Sequence, residues 1–140
     1  MSIFNISVSS NFEELWRYNL VLVCEVCSDK DERIDYISEE SFIAPVGSNL
    51  DSAPLDYSVD RTLRLTTKDG DYVNILLYVV PHTLPTTNDI IKTKPFPLIV
   101  KVENDKKEIL INQAFNVNQW SGDNIALTKV GVKKIIIRLL

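Results

Sequence analysis

The most constraining feature of the sequence is the apolar run at residues 72–80, which lies between Gly70 and Pro81. Alternate side chains of an extended chain point to opposite faces. One face holds Val73, Ile75, Leu77 and Val79, and the other holds Tyr72, Asn74, Leu76, Tyr78 and Val80. Because both faces are largely apolar and rich in β-branched and aromatic residues, the run predicts a strand in the middle of a sheet, covered on both sides.

Further alternating or apolar segments predict a set of short strands with one helical turn after Ser10. They lie at residues 3–9, 19–27, 33–36, 61–67, 97–103, 106–114, 124–129 and 132–140. We therefore expect an all-β fold, an antiparallel β-sandwich of about eight short strands, within a single domain at residues 1–140. The strand count and lengths are similar to those of immunoglobulin-like and C2-like sandwiches, although no motif of those families is present. A closed barrel is the alternative.

The register of apolar residues predicts that the central strand pairs with the strand before it in a hairpin. A three-residue loop, Lys68-Asp69-Gly70 with Gly70 in the left-handed region, sets Leu65 opposite Val73 and keeps the apolar faces together.

A second hairpin is predicted at Asn104 and Asp105, two residue types that tolerate the positive φ of a two-residue turn. This turn sets Ile99 opposite Leu110, so that apolar residues meet across the two strands.

Charge and hydropathy exclude several classes of protein. The net charge is −4, the calculated pI is about 5.0, and the Lys and Arg residues are scattered, so nucleic-acid binding is not expected. The chain has neither an apolar run long enough to span a membrane nor the basic and apolar regions of a signal peptide. We expect a protein that remains in the cytoplasm or is assembled into a particle made there, without binding a membrane.

Residues with catalytic chemistry are few. His82, the single histidine, lies in a segment flanked by prolines, where an exposed or capping role is expected in place of catalysis. Cys24 and Cys27 have C-x-x-C spacing, but residues three apart on a strand point to opposite faces, and no second cysteine pair exists. No nucleotide-binding or metalloprotease motif occurs. We therefore predict that the protein is not an enzyme and has no cofactor.

Carboxylates cluster at two turns, and C2-like sandwiches bind calcium through such Asp-rich loops. The clusters are Asp29, Asp31, Glu32 and Asp35 at one turn, with Asp69 and Asp71 at the other. They alternate with Lys30, Arg33 and Lys68, which favours turn formation and solubility over metal binding. No metal site is predicted, and a C2-like calcium-binding or membrane-binding module is a minor alternative.

Candidate partner-binding residues lie in a long irregular segment and on the central strand. The segment at residues 44–60 exceeds the usual loop length, so its apolar residues either hold it to the body or dock a partner. On the central strand, the outer residues need cover from this loop or from another subunit. The candidates are Leu50, Leu55, Tyr57, Leu76, Tyr78 and Trp120.

These features favour a non-enzymatic structural or interaction subunit of a larger microbial assembly, such as a phage particle or a secretion apparatus, in a homo- or hetero-oligomer. The composition, rich in Ile, Asn and Lys, is typical of an AT-rich microbial genome. The alternative is a small cytosolic binding or immunity protein whose acidic surface masks a basic partner.

Overall fold

The computed structural model describes residues 1–57, 62–83, 95–118, 124–131 and 136–139. These residues form nine strands: β1 (Phe4–Ser9), β2 (Tyr18–Cys27), β3 (Arg33–Ser41), β4 (Leu63–Thr66), β5 (Tyr72–Pro81), β6 (Phe96–Asn104), β7 (Ile109–Val117), β8 (Ile125–Val130) and β9 (Ile136–Leu139). One 3-10 turn, Leu15–Arg17, precedes β2. No helix within these ranges is long and apolar enough to cross a membrane.

The strands form two antiparallel sheets that pack face to face, so the predicted β-sandwich is confirmed. One sheet has four strands in the order β4-β1-β6-β7, and the other has five in the order β3-β2-β5-β8-β9. In the described residues the two sheets do not join into a barrel. Strand β5 is central in its sheet, as predicted, and it pairs with β2 along the whole length of both strands.

The core lies between the sheets and takes alternate residues from both. The predicted inner face of β5, which is Val73, Ile75, Leu77 and Val79, is buried. Phe4, Ile6 and Val8 of β1 meet it from the four-stranded sheet. Each fully buried side chain of this size contributes about 1.5–3 kcal/mol relative to an exposed one. The inner faces of both sheets are therefore the main source of stability.

The predicted hairpin between β4 and β5 is wrong. Strand β4 pairs with β1, where Leu65 lies opposite Ile6 and Leu63 lies opposite Val8, and the chain then crosses to the other sheet before β5. Leu63 and Leu65 face the core in either arrangement. Alternation therefore cannot distinguish a strand paired beside β5 from a strand packed across the sandwich from it.

Gly70 is required for a close approach and not for a positive φ, because Gly47 and Gly131 are the glycines with positive φ in the described ranges. The backbone of Gly70 exchanges two hydrogen bonds with Ser2, at 2.7 and 2.9 Å. A Cβ at this position would collide with the buried side chain of Val26. The crossing from β4 to β5 therefore passes so close to β2 that only glycine fits.

The β6–β7 hairpin is present, but the predicted two-residue turn is wrong. Ile99 lies opposite Ala114 instead of Leu110. The side chain of Asn104 accounts for the difference, because its Oδ1 accepts hydrogen bonds from the backbone N–H groups two and four residues later, both at 3.0 Å. These bonds hold residues 104–108 in a longer loop, and a bulge between Val102 and Glu103 shifts the register further.

The Gly70→Ala substitution should lower the free energy of unfolding by about 1–3 kcal/mol, because the added Cβ overpacks the site against Val26. Urea denaturation monitored by circular dichroism measures this loss. The same substitution in a Val26→Ala background should cost less, because the colliding methyl group is absent. Equal costs in the two backgrounds would contradict the close-packing explanation.

Candidate functional site

The outer face of the four-stranded sheet is mostly polar, with Pro97, Ile99 and Ala114 as its apolar members. Its outward side chains include Asn5, Ser7, Ser9, Arg64, Thr66, Lys101, Glu103, Asn112 and Asn116. Several of them bond to one another. The hydroxyl of Thr66 donates to Oδ1 of Asn5 at 2.8 Å, and Nζ of Lys101 lies 4.0 Å from Glu103. This face has the composition expected of a sheet surface in contact with water.

The outer face of the five-stranded sheet is apolar at its centre. Val21, Val23, Leu76, Tyr78, Val80 and Ala126, here called the apolar face, point away from the core. Tyr78 lies opposite Val21, and Leu76 lies between Val23 and Ala126 in register. All six are only half-buried. Tyr36 of β3, whose side chain is 54% exposed, extends the face toward the sheet edge.

Glu25 closes one end of the apolar face with paired charge. Its Oε2 lies 2.7 Å from Nη2 of Arg33, and its Oε1 accepts a hydrogen bond from Nδ2 of Asn74 at 2.9 Å. The hydrogen bonds from Asn74 and Arg33 hold the pKa of the Glu25 carboxyl below its usual value. The charge of Glu25 is therefore balanced by Arg33 and stabilised by Asn74. These polar residues form the boundary of the apolar face at this end.

The candidate partner-binding residues occupy different places. Leu76 and Tyr78 lie together on the apolar face. Leu50 is half-buried, and its backbone N–H donates to Oγ1 of Thr83 at 3.1 Å. Tyr57 is half-buried and packs against the core. Leu55 is fully exposed.

Trp120 lies outside the described residues, so its predicted surface role stays a prediction.

The other members of the apolar face are not among the predicted partner-binding residues, although Val80 is on the predicted outer face of the central strand. Val21 and Val23 complete it from β2, and Val80 and Ala126 extend it. A signal for the first two was present, because residues 19–27 are apolar at alternate positions on both faces. Two neighbouring strands that are apolar on both faces predict an apolar outer surface once they are known to pair.

His82 is buried, with 1% of its surface exposed, so the expectation of an exposed position is wrong and the capping role remains. Its Nε2 donates to the carbonyl oxygen of Trp16 at 2.6 Å, which leaves Nδ1 to accept from the hydroxyl of Thr83 at 2.7 Å. The carbonyl oxygen of His82 accepts hydrogen bonds from the N–H groups of Gly47 and Ser48. His82 thus joins the 3-10 turn to the loop after β3.

Burial holds the pKa of His82 below its ordinary value of about 6.5. Below that pH the unfolded chain binds a proton that the folded chain does not, so the free energy of unfolding falls as pH falls.

We expect the wild-type protein to be less stable at pH 5.5 than at pH 7.5, as measured by urea denaturation. A His82→Gln variant should lose about 1–3 kcal/mol at pH 7.5 through weakened bonding to Trp16. Its further loss between the two pH values should be smaller than that of the wild type, because no imidazole titrates. If the free energy of unfolding falls equally in the two proteins between pH 7.5 and pH 5.5, His82 is not the group that causes the pH dependence.

The two cysteines lie on opposite faces of β2 and are not bonded to each other, as their spacing predicts. Cys24 is in the core, and burial raises the pKa of its thiol to about 12. Cys27 is buried beside Glu25, with its Sγ 3.4 Å from Oε1 of that residue, and burial also raises the pKa of its thiol. Neither thiol is therefore a ready nucleophile or metal ligand.

At pH 8 neither cysteine should react with iodoacetamide in the folded protein, because both thiols are buried and protonated. Both should react fully in 8 M urea. Intact-mass spectrometry counts the modified residues. Rapid modification of Cys27 in the folded state would restore the possibility of a reactive C-x-x-C pair.

The acidic turns use their carboxylates locally. Oδ1 of Asp31 accepts a hydrogen bond from the hydroxyl of Tyr72 at 2.6 Å, and Oδ2 of Asp71 accepts one from the backbone N–H of Asp29 at 2.7 Å. Among the residues that the structure describes, no three His, Cys, Asp or Glu side chains converge on a position for a metal ion. These turns give no geometric support to the calcium alternative.

Comparison of the chain with protein-family models, with curated proteins and with solved structures found no match.

Proposed function

We propose that this chain is a non-enzymatic interaction subunit that joins other protein subunits through the apolar face. One observation carries the proposal: the two outer surfaces of the same sandwich differ, since the four-stranded sheet is mostly polar outside while the five-stranded sheet has the half-buried cluster around Leu76 and Tyr78. Large contiguous apolar patches are uncommon on monomeric proteins and mark sites of association.

The position of the apolar face favours binding. Its central residues lie on β2 and β5, which are hydrogen-bonded to each other over ten residues and flanked by β3 and β8. Side chains held on such a rigid surface lose little conformational freedom when a partner covers them. Each half-buried apolar side chain that becomes fully covered contributes on the order of 1 kcal/mol. A flat sheet partner would pack on the face at about 10 Å.

The setting that we propose is a larger microbial assembly, such as a phage particle or a secretion apparatus. The alternative is a small binding or immunity protein that masks a basic partner, and the exposed carboxylates of Glu39 and Glu40 on β3 favour it. Neighbouring genes distinguish the two settings. Genes for capsid, tail or secretion components support the first, whereas a toxin-like reading frame supports the second.

A Leu76→Glu variant tests the apolar face, with Ile99→Glu as its matched control. Ile99 is a partly exposed apolar residue on the outer face of the other sheet. Sedimentation velocity should show the wild-type chain and the Ile99→Glu variant in an oligomer or bound to the native particle. The Leu76→Glu variant should associate at least tenfold more weakly, because a carboxylate would be buried in the interface.

Thermal denaturation should show that both variants remain folded, since both substitutions are on outer faces. A wild-type chain that is strictly monomeric and absent from any particle fraction would refute the proposal. An equal effect of the two substitutions would also refute it, because association would then not depend on the apolar face.

A further inference from the structure

A cleft of about 330 Å³ lies along the open side of the sandwich, between β3 of one sheet and β4 of the other. Its apolar lining is Leu15, Tyr18, Leu20, Ile43, Tyr57 and Leu63. Glu39 and Glu40 of β3 also line it, and both are exposed to solvent. We call this feature the edge cleft. Its volume is at the lower end of the range of about 300–1,000 Å³ typical of binding pockets, which suits an apolar side chain as an anchor.

The strand beside the edge cleft has a free edge. β3 is the end strand of its sheet, and in the described part of the chain only β2 pairs with it. An end strand of this kind presents a row of backbone N–H and C=O groups with no strand partner, which is the template for an added strand. Ile37 and Glu39 of β3 lie opposite the core-facing residues Cys24 and Leu22, so their side of the strand faces the inside of the sandwich. An added strand would therefore direct alternate side chains toward the edge cleft.

The charge of β3 indicates which kind of segment would bind at its edge. Asp35, Glu39 and Glu40 are acidic, and the one basic residue of the strand, Arg33, is paired with Glu25. Neither Glu39 nor Glu40 forms an ion pair with any residue that the structure describes. Arg64, on the β4 side of the edge cleft, offsets one of these carboxylates, but β3 keeps an excess of negative charge that favours a basic segment.

A second copy of the chain fits this edge poorly. Antiparallel pairing of two β3 strands centred on Ile37 would place Asp35 opposite Glu39 of the other copy. Like charges directly opposite each other destabilise a strand pair.

We propose that the free edge of β3 and the edge cleft bind an extended basic peptide segment of a partner protein. The segment adds to the five-stranded sheet as a further strand, and one of its apolar side chains enters the edge cleft. Its Lys or Arg side chains on that same face pair with Glu39, and Glu40, on the opposite face of β3, adds to the negative charge of the strand. Main-chain hydrogen bonds supply affinity in this mode, and the cleft and the carboxylates supply specificity. This site lies at the sheet edge beside the apolar face, since Glu40 lies opposite Val21 in register.

The probe is an N-acetylated, C-amidated peptide, Thr-Lys-Thr-Leu-Thr-Lys-Thr, whose Lys and Leu side chains share one face of a strand. Isothermal titration calorimetry should give an affinity at least tenfold higher than for the same peptide with Glu in place of Lys, or with Ser in place of Leu. Raising the salt concentration should weaken binding, because exposed charges are screened. NMR shifts in the backbone amides should centre on β3.

Two N-methylated peptides test strand addition directly. One carries N-methyl groups on the Lys and Leu nitrogens, and the other carries them on the Thr nitrogens. Alternate residues of a strand bond to the same neighbour, so one of these peptides should lose binding while the other retains it. Equal affinities of the two would overturn strand addition.

On the protein, a Glu39→Gln, Glu40→Gln double variant should bind the basic peptide at least tenfold more weakly. The matched control is an Asp105→Asn, Glu108→Gln double variant, which removes the same charge from an exposed turn and should bind as the wild type does. An equal loss of peptide affinity in the two double variants would overturn the proposal. NMR shifts centred on the apolar face would also overturn it, and so would dimerisation of the chain through β3. Leu76→Glu should leave peptide binding unchanged, so failure here is distinguishable from failure of the apolar-face proposal.

Discussion

The pairing of β2 with β5 is the constraint on which the rest of the structure depends. Each strand has ten residues and is apolar on both faces, and the two are paired in register from end to end. Their inner residues require a second sheet to cover them, which produces the sandwich. Their outer residues are equally apolar at the centre, which produces the apolar face. Stability and the proposed function therefore arise from the two sides of the same pair of strands.

Much of the fold was predictable because strand patterns are local. The alternation in β1, β2 and β5 was sufficient to predict these strands, and the central place of β5 followed from its two apolar faces. The pairing of β4 was not predictable, since Leu63 and Leu65 face the core whichever sheet holds them. The predicted register of β6 and β7 was wrong for a different reason, because the side chain of Asn104 determines the turn geometry. Pairing partners and turn geometry are determined by contacts that alternation does not encode.

The candidate sites show the same division. Leu76 and Tyr78 were identifiable because an apolar outer face of a strand can be read from sequence. The edge cleft was not, because it exists only where β3 and β4 become end strands of different sheets. The burial of His82 was also not predictable, since its partners Trp16 and Gly47 are distant in sequence. The sequence indicates which individual residues are candidates for a site. The topology determines which of these residues lie close together.

The position of β1 has a consequence for the order of folding. This first strand lies between β4 and β6, so its hydrogen-bonding partners extend to residue 104. A ribosome must therefore synthesise most of the chain before the four-stranded sheet is able to close. Until then β1 lacks β6, one of its two neighbours in that sheet. Sequence-distant pairing of this kind slows folding, because the entropy of closing a long loop is lost before the contacts form.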